Sequence, residues 1–227
     1  MTNKIDQRRG GLYFIDKRPY VSVTNILKIL DKPALTYWYG REVYRAFAFD
    51  PTLDEKTALA APYQKRDKAA DRGSTVHSII ESYKHTKEHI KTIPDSFKGY
   101  AQAFYDWIDE NDIEIVENER TVVNKGKGYA GTLDLLVKFK KTGKIFIIDI
   151  KTGKDIYDEA TLQLSAYWDA LEAEVDGIAV LLLKEDGTFK YQQCSNEINA
   201  FLACFEIWKW KNPDIVEMIE RYKGGEA

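Results

Sequence analysis

Apolar and polar positions follow two different periods along the chain, and these periods predict the order of its elements. Apolar residues three or four positions apart predict helices, whereas alternation with a period of two, or a short continuous apolar run, predicts strands. We therefore interpret residues 1–227 as one domain. A helical part is expected at about 1–110, a sheet core at about 111–195 and closing helices at about 196–222.

The middle of the chain predicts an α/β core in the order helix, strand, strand, strand, helix, strand. These six elements are expected at 94–109, 113–124, 129–139, 144–151, 158–171 and 177–183, with a further strand at 188–193. The step from the third strand through a helix to the fourth is a candidate right-handed crossover. The pattern therefore predicts a mixed sheet with helices on both faces.

The first hundred residues predict a short hairpin followed by helices. A strand at 11–16 turns near 17–19, and Ser22 or Thr24 then caps a helix that ends at Leu30. Further helices are expected at 35–49, 52–61 and 65–85. Pro62 is expected to separate the last two, and a break or fresh start is expected near Gly73 because glycine disfavours helix interiors.

Aromatic residues recur at helical spacing between residues 35 and 49, at Tyr37, Trp38, Tyr44 and Phe47. Such a stripe is most often part of a hydrophobic core, and that is our interpretation. Stacking on nucleic-acid bases is the alternative.

Two carboxylates are expected side by side on neighbouring strands of the core. A hairpin about Thr142 pairs Asp134 with Ile150, give or take one residue, and so brings Asp134 next to Asp149. Like charges at this position destabilise a sheet, and a divalent cation would offset their repulsion. Lys151 shares a face with Asp149, because strand side chains alternate. The alternative is two solvated acids and a simple ion pair, but the apolar run before Asp149 indicates a buried strand.

Other candidate residues lie on the neighbouring elements. His77 and Glu81 are four residues apart on one predicted helix, and Gln163 and Tyr167 are four apart on another. Such pairs lie on one face of a helix. His77 becomes a candidate ligand only if its helix packs over the two acidic strands.

Composition excludes several other classes of protein. The chain has 227 residues, is 44% hydrophobic and carries a net charge of −3, so any contact with nucleic acid needs a local basic patch. Two cysteines without a C-x-x-C pair exclude a cysteine-ligated zinc or iron–sulfur site. No apolar run is long enough to span a membrane, and the polar N-terminus lacks a secretion signal, so we expect a cytoplasmic protein.

Four short motifs occur in a characteristic order. They are Gly73-Ser74-Thr75-Val76-His77, Gly131-Thr132-Leu133-Asp134, Asp149-Ile150-Lys151-Thr152 and Gln163-Leu164-Ser165-Ala166-Tyr167. Together they resemble the PD-(D/E)XK nucleases, specifically the RecB-type exonucleases of phage and of mitochondrial genome maintenance. A looser similarity extends to residues 21–27. The chain differs from the members that carry an iron–sulfur cluster on four cysteines.

The resemblance implies a Mg²⁺- or Mn²⁺-dependent deoxyribonuclease with the αβββαβ fold of restriction endonucleases. The implied metal ligands are His77, Asp134, Asp149 and the carbonyl of Ile150. The implied catalytic residues are Asp134, Asp149, Lys151, Gln163 and Tyr167. The implied contacts to nucleic acid are Lys65, Arg66, Lys68, Arg72, Ser74 and Thr152, and Glu81, Glu117 and Glu119 are candidates for an outer shell.

The implied substrate is DNA with free, single-stranded ends, in a bacterium or a phage-infected host. A recombination protein or single-strand-binding protein is an implied partner. A structure-specific endonuclease of the same fold and a non-catalytic nucleic-acid-binding module are the alternative functions. The residues leave open the cleavage polarity, DNA against RNA, one metal ion against two, and the oligomeric state.

Overall fold

A computed structural model describes residues 5–82 and 87–223. Within them, one mixed sheet of eight strands is flanked by helices. The strands are β1 (Ile5–Arg9), β2 (Leu12–Ile15), β3 (Arg18–Ser22), β4 (Ile113–Asn124), β5 (Tyr129–Phe139), β6 (Ile145–Lys151), β7 (Gly177–Leu183) and β8 (Phe189–Cys194). The helices are α1 (Val23–Ile26), α2 (Pro33–Phe49), α3 (Glu55–Glu81), α4 (Asp95–Asn111), α5 (Asp158–Ala170), α6 (Ile198–Lys211) and α7 (Pro213–Lys223).

Strands β4 to β7, with α4 before them and α5 inserted before β7, confirm the predicted αβββαβ order. Hydrophobic clusters cover both faces of the sheet. Leu164 of α5 and Phe201 of α6 pack on one face. Val76 of α3 and Trp107 of α4 pack on the other. The predicted mixed sheet with helices on both sides is therefore confirmed.

Strand β5 has a divided edge, and this feature positions the candidate site. β4 pairs with β5 along almost its whole length. The opposite edge is shared, since β3 pairs in parallel with Tyr129 and Ala130, whereas β6 pairs antiparallel with residues 135–138. Residues 131–134 therefore lie in a fork where one neighbour has ended and the next has not begun.

Helix α3 runs without interruption from residue 55 to residue 81, so the predicted break at Pro62 is wrong. An interior proline costs about 3 kcal/mol in an isolated helix. Here Ala58 and Pro62 are buried, and packing of α3 against α2 offsets that cost. The break near Gly73 is also wrong, because Gly73 lies inside the helix against Thr152. The predicted end at residue 85 lies outside the described residues.

The first strand was not predicted at all. β1 pairs with β2 and extends the sheet, although its sequence, IDQRR, lacks an apolar alternation. The predicted cap at Ser22 is confirmed, because the Ser22 hydroxyl accepts a hydrogen bond from the amide of Asn25 at 3.0 Å. The helix it caps ends at Ile26 and continues as a 3₁₀ turn over Leu27–Ile29.

The interpretation of the α2 aromatics as core is wrong for Tyr37, Tyr44 and Phe47, which are exposed, and Trp38 is only partly buried. Tyr37 is 72% exposed and Tyr44 is 73% exposed. All of α2 is described, and Glu42 is its single buried residue. The Glu42 carboxylate accepts hydrogen bonds from Arg45 and from Lys65 of α3. The Glu42–Lys65 ion pair and the contact between the Tyr39 and Tyr63 rings, whose centroids lie 5.1 Å apart, therefore join α2 to α3.

Among the described residues, no helix is both long enough and apolar enough to cross a membrane.

A buried tyrosine ties the β4–β5 turn to α5. The hydroxyl of Tyr129 donates a hydrogen bond to the carboxylate of Asp169, and the ring of Tyr129 is fully buried. Asn124 and Lys127 donate to the same carboxylate. Burial raises the pKa of Asp169, but these donors outweigh burial and hold that pKa below its ordinary value. The carboxylate is therefore charged and accepts hydrogen bonds from three neighbours.

We predict that Asp169→Ala lowers the free energy of unfolding by about 1–3 kcal/mol, because it leaves the buried Tyr129 hydroxyl without its acceptor. Urea denaturation followed by circular dichroism measures this loss. Lys127→Gln, which removes only an exposed cation, is expected to cost under about 1 kcal/mol. Equal losses in the two variants would contradict the role assigned to the tyrosine.

Candidate metal centre at the strand fork

The carboxylate of Asp134 closes the fork between β5 and β6. The ladder between these strands ends at Leu135 paired with Ile148, and one further step would oppose Asp134 to Asp149. This register lies within one residue of the predicted pairing. Instead of a further ladder bond, the amide of Ile150 donates a hydrogen bond to Asp134 Oδ2 at 2.7 Å. The side chain therefore satisfies a backbone donor that the diverging strands leave unpaired.

Asp149 is the most enclosed of the acids, with 2% of its surface exposed. Lys151 Nζ lies 2.9 Å from its Oδ1 and 2.7 Å from its Oδ2. From α5, Gln163 Nε2 donates to Asp149 Oδ1 at 3.0 Å and to the hydroxyl of Tyr167 at 3.0 Å. The structure thus brings together four of the residues predicted from the motifs.

His77 reaches the fork from α3 and uses both ring nitrogens. Its Nδ1 lies 3.5 Å from Asp134 Oδ1 and 3.8 Å from Glu119 Oε1. Its Nε2 lies 3.2 Å from the carbonyl oxygen of Ile150. A proton on Nε2 donates to that carbonyl and directs Nδ1 toward the two acids. Such a bond fixes the tautomer of a metal-binding imidazole.

Glu119 lies opposite Asp134 in the pairing of β4 with β5. Asn118 pairs with Leu135 and Arg120 with Leu133, so the same register opposes Glu119 to Asp134. Glu119 has a φ of 47°, in the left-handed region that non-glycine residues occupy at a cost of about 1–3 kcal/mol. This turn of the backbone carries its carboxylate to within 3.8 Å of His77.

Three donor residues form the most compact candidate ligand group in the described part of the chain. One atom each of His77, Glu119 and Asp134 lies within 4.8 Å of the others. Glu119 was predicted only as an outer-shell candidate, whereas this grouping makes it a candidate metal ligand. Asp149 lies outside the group, although its charge acts on His77. The carbonyl oxygen of Ile150, predicted as a ligand, lies 3.2 Å from Nε2 of the imidazole.

The other two outer-shell candidates do not join the group. Glu117 forms an ion pair with Arg120 at 2.7 Å. Glu81 is exposed, and its backbone carbonyl accepts a hydrogen bond from Asn118 at 3.2 Å. Their place in an outer shell stays a prediction, and neither belongs to the group formed by His77, Glu119 and Asp134.

The residues predicted to contact nucleic acid divide into three kinds. Lys65 pairs with the buried Glu42, and Arg66 pairs with its neighbour Asp67 at 2.8 Å, so both cations already have partners. Lys68 and Ser74 are exposed on α3. Arg72 and Thr152 line a cavity beyond the end of β6.

Unbalanced negative charge perturbs the titration of the site. Burial, and then the charge of Asp149, raise the pKa of Asp134 to about 7. Burial lowers the pKa of His77, but Glu119, Asp134 and Asp149 outweigh burial and raise it to about 9. Burial likewise lowers the pKa of Lys151, and Asp149 and Asp134 raise it above its ordinary value. The excess of carboxylates therefore favours the protonated forms of Asp134 and His77.

These residues fit a hard divalent cation. Carboxylates with one imidazole suit Mg²⁺ or Mn²⁺, and the nitrogen ligand favours Mn²⁺. Asp149 Oδ2 is buried and accepts no hydrogen bond with acceptable geometry within the described residues, although Lys151 lies close to it. A cation at the fork would neutralise the acids that now raise the pKa of Asp134.

Gly131 belongs to the Gly131-Thr132-Leu133-Asp134 motif, but its contact with Tyr167 was not predicted from the sequence. A Cβ atom at Gly131 would lie 2.2 Å from Cε1 of the Tyr167 ring. The absence of a side chain therefore lets Tyr167 approach β5 and support Gln163. The only available signal in the sequence was a glycine within a strand, which often marks a close approach.

Comparison with known proteins adds two likenesses of fold. An alkaline exonuclease, LHK-Exo from Laribacter hongkongensis, superposes with a TM-score of 0.46 and 11% identity, covering 92% of this chain and 95% of that one. SSO0001 superposes with a TM-score of 0.36 and 15% identity, covering 82% and 73%. No protein-family model and no curated protein sequence matches the chain. At these TM-scores the likeness concerns the fold and not the activity.

We predict that Mn²⁺ raises the melting temperature of the protein. At one hundred times its dissociation constant, the ion would add about 2.7 kcal/mol to the free energy of unfolding. For a chain of this size that corresponds to an increase of about 5–10 °C. Differential scanning fluorimetry with Mn²⁺, and then with chelator, measures the shift.

The shift is expected to disappear in His77→Ala and in Glu119→Gln, which remove single donors. Glu114→Gln, an exposed residue on the same strand as Glu119, is the matched control and should keep the full shift. If Mn²⁺ still raised the melting temperature of His77→Ala, the ion would bind elsewhere in the protein.

Proposed function

We propose that this protein is a metal-dependent DNA exonuclease of the PD-(D/E)XK superfamily, RecB-type, acting on single-stranded ends. The observation that supports the proposal is the convergence of Asp134, Asp149, Lys151 and His77 at one fork of the sheet. A purely structural protein gains nothing from burying two like charges there.

In this proposal His77, Glu119 and Asp134 hold the cation, with Asp149 beside them. When bound, such an ion supplies positive charge that polarises the phosphoryl oxygens. Nδ1 of the imidazole must be free of a proton to act as a ligand. Because the neighbouring acids raise the pKa of His77 to about 9, the Nδ1 proton would have to leave when a cation binds, while the Nε2–H bond to Ile150 retains the other proton.

Lys151 acts as a fixed cation at the scissile phosphate. Its raised pKa keeps the ammonium protonated at neutral pH, so it orients and neutralises but does not accept a proton. Asp149 Oδ1 accepts a hydrogen bond from this ammonium, and Asp149 Oδ2 lies 2.7 Å from it. The lysine can therefore donate its remaining N–H bonds to the attacking water or to a phosphoryl oxygen.

Gln163 and Tyr167 position Asp149, and Asp149 in turn positions Lys151. Gln163 donates to Asp149 Oδ1 and contacts the Tyr167 hydroxyl. Burial, and then the nearby Asp149 and Asp134, raise the pKa of Tyr167 well above its ordinary value, so the phenol stays neutral. The pair resists rotation of the Asp149 carboxylate and so preserves the geometry around Lys151.

The exposed aromatics of α2 support a single-stranded substrate. Tyr37 and Tyr44 present their rings to solvent, and the guanidinium of Arg41 lies 5.9 Å from the centre of the Tyr37 ring. Unpaired bases stack on such rings, and neighbouring cations attract the strand backbone. Lys68 and Ser74 on α3 are further candidate contacts, as predicted from the resemblance. The net charge of −3 disfavours a broad surface for duplex DNA.

Retention of both Asp149 and Lys151 favours an active enzyme over a non-catalytic binding module. A recombination protein or single-strand-binding protein as partner, and the cytoplasm of a bacterium or phage-infected host as location, stay predictions from the resemblance.

We predict that Asp149→Asn and Lys151→Met each lower the rate of DNA cleavage at least about a hundredfold, because each removes charge at the developing transition state. Release of nucleotides from end-labelled single-stranded and double-stranded DNA, linear and circular, with Mg²⁺ and with chelator, measures the rate. Only the linear substrates should be degraded, because circular DNA has no free end.

The two variants are expected to fold as the wild type does. In chelator, Asp149→Asn removes the repulsion between Asp149 and Asp134 but leaves Lys151 without its partner, so its melting temperature is expected to lie close to that of the wild type. Full cleavage activity in either variant would refute the site. Cutting of circular DNA would favour the endonuclease alternative.

We predict that Tyr37→Ala and Tyr44→Ala weaken the binding of single-stranded DNA, each by about 1–3 kcal/mol per lost stacking contact. Fluorescence anisotropy with a labelled oligonucleotide measures the dissociation constant. Tyr157→Ala removes a similarly exposed ring outside α2 and should leave the constant unchanged. Equal effects at Tyr157 would indicate that stacking on α2 is not specific.

A further inference from the structure

A cavity of about 380 Å³ lies beyond the ends of β6 and β7. Its walls are Arg72 of α3, Tyr100 of α4, the loop of residues 152–154 that follows β6, and the turn of residues 184–186 that follows β7. None of the residues proposed to hold the cation lines it. It adjoins the candidate site, however, because Thr152 directly follows Lys151 in the chain.

Arg72 is the group that this cavity leaves without a described partner. Its Nε is buried and forms no hydrogen bond, and no ion pair engages its guanidinium within residues 5–82 and 87–223. Burying part of a charged group without a partner is unfavourable. A guanidinium matches the geometry of phosphate oxygens, which accept two parallel N–H bonds. The cavity beside it therefore suits an anion with oxygen acceptors.

The walls of the cavity are fixed by close backbone contacts. Lys184 Nζ donates to the carbonyls of Gly153 at 3.1 Å and Lys154 at 2.5 Å, which joins the two loops. Gly99 of α4 lies directly against the turn, because a Cβ atom there would stand 1.7 Å from the Glu185 carbonyl oxygen. The cavity is therefore preformed, and an anion would not have to order its walls.

The charges around the cavity favour an anion of low charge. Arg72, Lys154 and Lys184 contribute three cations, and Glu185 and Asp186 contribute two carboxylates. The Asp186 carboxylate accepts hydrogen bonds from the amide and hydroxyl of Thr188, which fixes it within the turn. A phosphodiester carries a single negative charge, whereas a terminal phosphate carries up to two. The balance therefore suits an internal phosphate of a strand.

We propose that this cavity binds the phosphodiester next to the one that is cut, with Arg72 and the Thr152 hydroxyl as its donors. The inference rests on the proposed function, because it takes DNA as the substrate of the neighbouring site. Gly73, which follows Arg72, precedes His77 by four residues on α3. One helix and one strand therefore link the phosphate held in the cavity to the phosphate that reacts.

The first test measures binding without cleavage. Fluorescence anisotropy in chelator gives the dissociation constant for a labelled single-stranded oligonucleotide across a series of salt concentrations. Arg72→Gln should weaken binding about tenfold at low salt. It should also reduce the slope of log affinity against log salt by about 0.7, the value for one phosphate contact to a single strand. Lys144→Gln, an exposed cation at the opposite end of β6, is the matched control and should leave the slope unchanged.

The second test places the lost contact on the substrate. A methylphosphonate that neutralises the phosphate next to the scissile one should raise KM for the wild type and leave kcat nearly unchanged. It should have no further effect on Arg72→Gln, because that variant has already lost the contact. Thr152→Ala, with a smaller increase in KM, provides a second variant if Arg72→Gln fails to fold as judged by circular dichroism.

The outcomes separate this inference from the proposed function. An unchanged salt slope in Arg72→Gln together with an unchanged KM in Thr152→Ala, in an enzyme that cuts DNA normally, would overturn the cavity assignment alone. If the wild type did not cleave DNA but Arg72→Gln still reduced the salt slope of binding, the proposed nuclease activity would be overturned and the phosphate site would stand. Absence of any DNA binding by the wild type would overturn both.

Discussion

The hydrogen bond from the amide of Ile150 to the carboxylate of Asp134 is the constraint on which the site depends. It takes the place of a ladder bond where β5 and β6 part. Without it the buried amide would lack an acceptor, at a cost of about 1–3 kcal/mol. Because one oxygen of Asp134 is used in this way, the other is held toward His77. A single side chain thus ends a strand pairing and directs a candidate ligand.

Charge around this bond is arranged in two layers. Asp149 is enclosed by Lys151 and Gln163, which fix it from the strand and from α5. Asp134 and His77 lie on the more open side, together with Glu119. The enclosed layer is nearly neutral as a pair, whereas the open layer has more acids than bases. An incoming cation would therefore meet its ligands in the open layer, with the enclosed pair behind them.

The sequence was most informative where the physical signal was local. The buried apolar run before Asp149 predicts a central strand, and the hairpin about Thr142 limits its register to one residue. The i, i+4 spacing of Gln163 and Tyr167 predicts that they share a helix face. Each of these signals lies within about twenty residues of chain, so neighbouring positions suffice to read it.

Signals that depend on distant contacts were missed. The left-handed φ of Glu119 lies within the pairing of β4 with β5, and no residue type at that position indicates it. Pro62 resembles a helix end, yet packing against α2 keeps the helix intact. Strand β1 has no apolar alternation and forms because β2 offers a free edge. Tertiary contacts overrode local preference in all three cases.

The attachment of α2 also has a consequence for how the molecule responds to its surroundings. Glu42 is the single buried residue of this helix, and its contacts with Arg45 and Lys65 are electrostatic. The sheet and helix α2 are therefore sensitive to different solution conditions. Added electrolyte screens the Glu42–Lys65 pair while leaving the apolar layers intact, whereas urea solvates both the apolar layers and the backbone. Ionic strength would therefore change the part of the α2 attachment that depends on charge, while the contact between the Tyr39 and Tyr63 rings would persist.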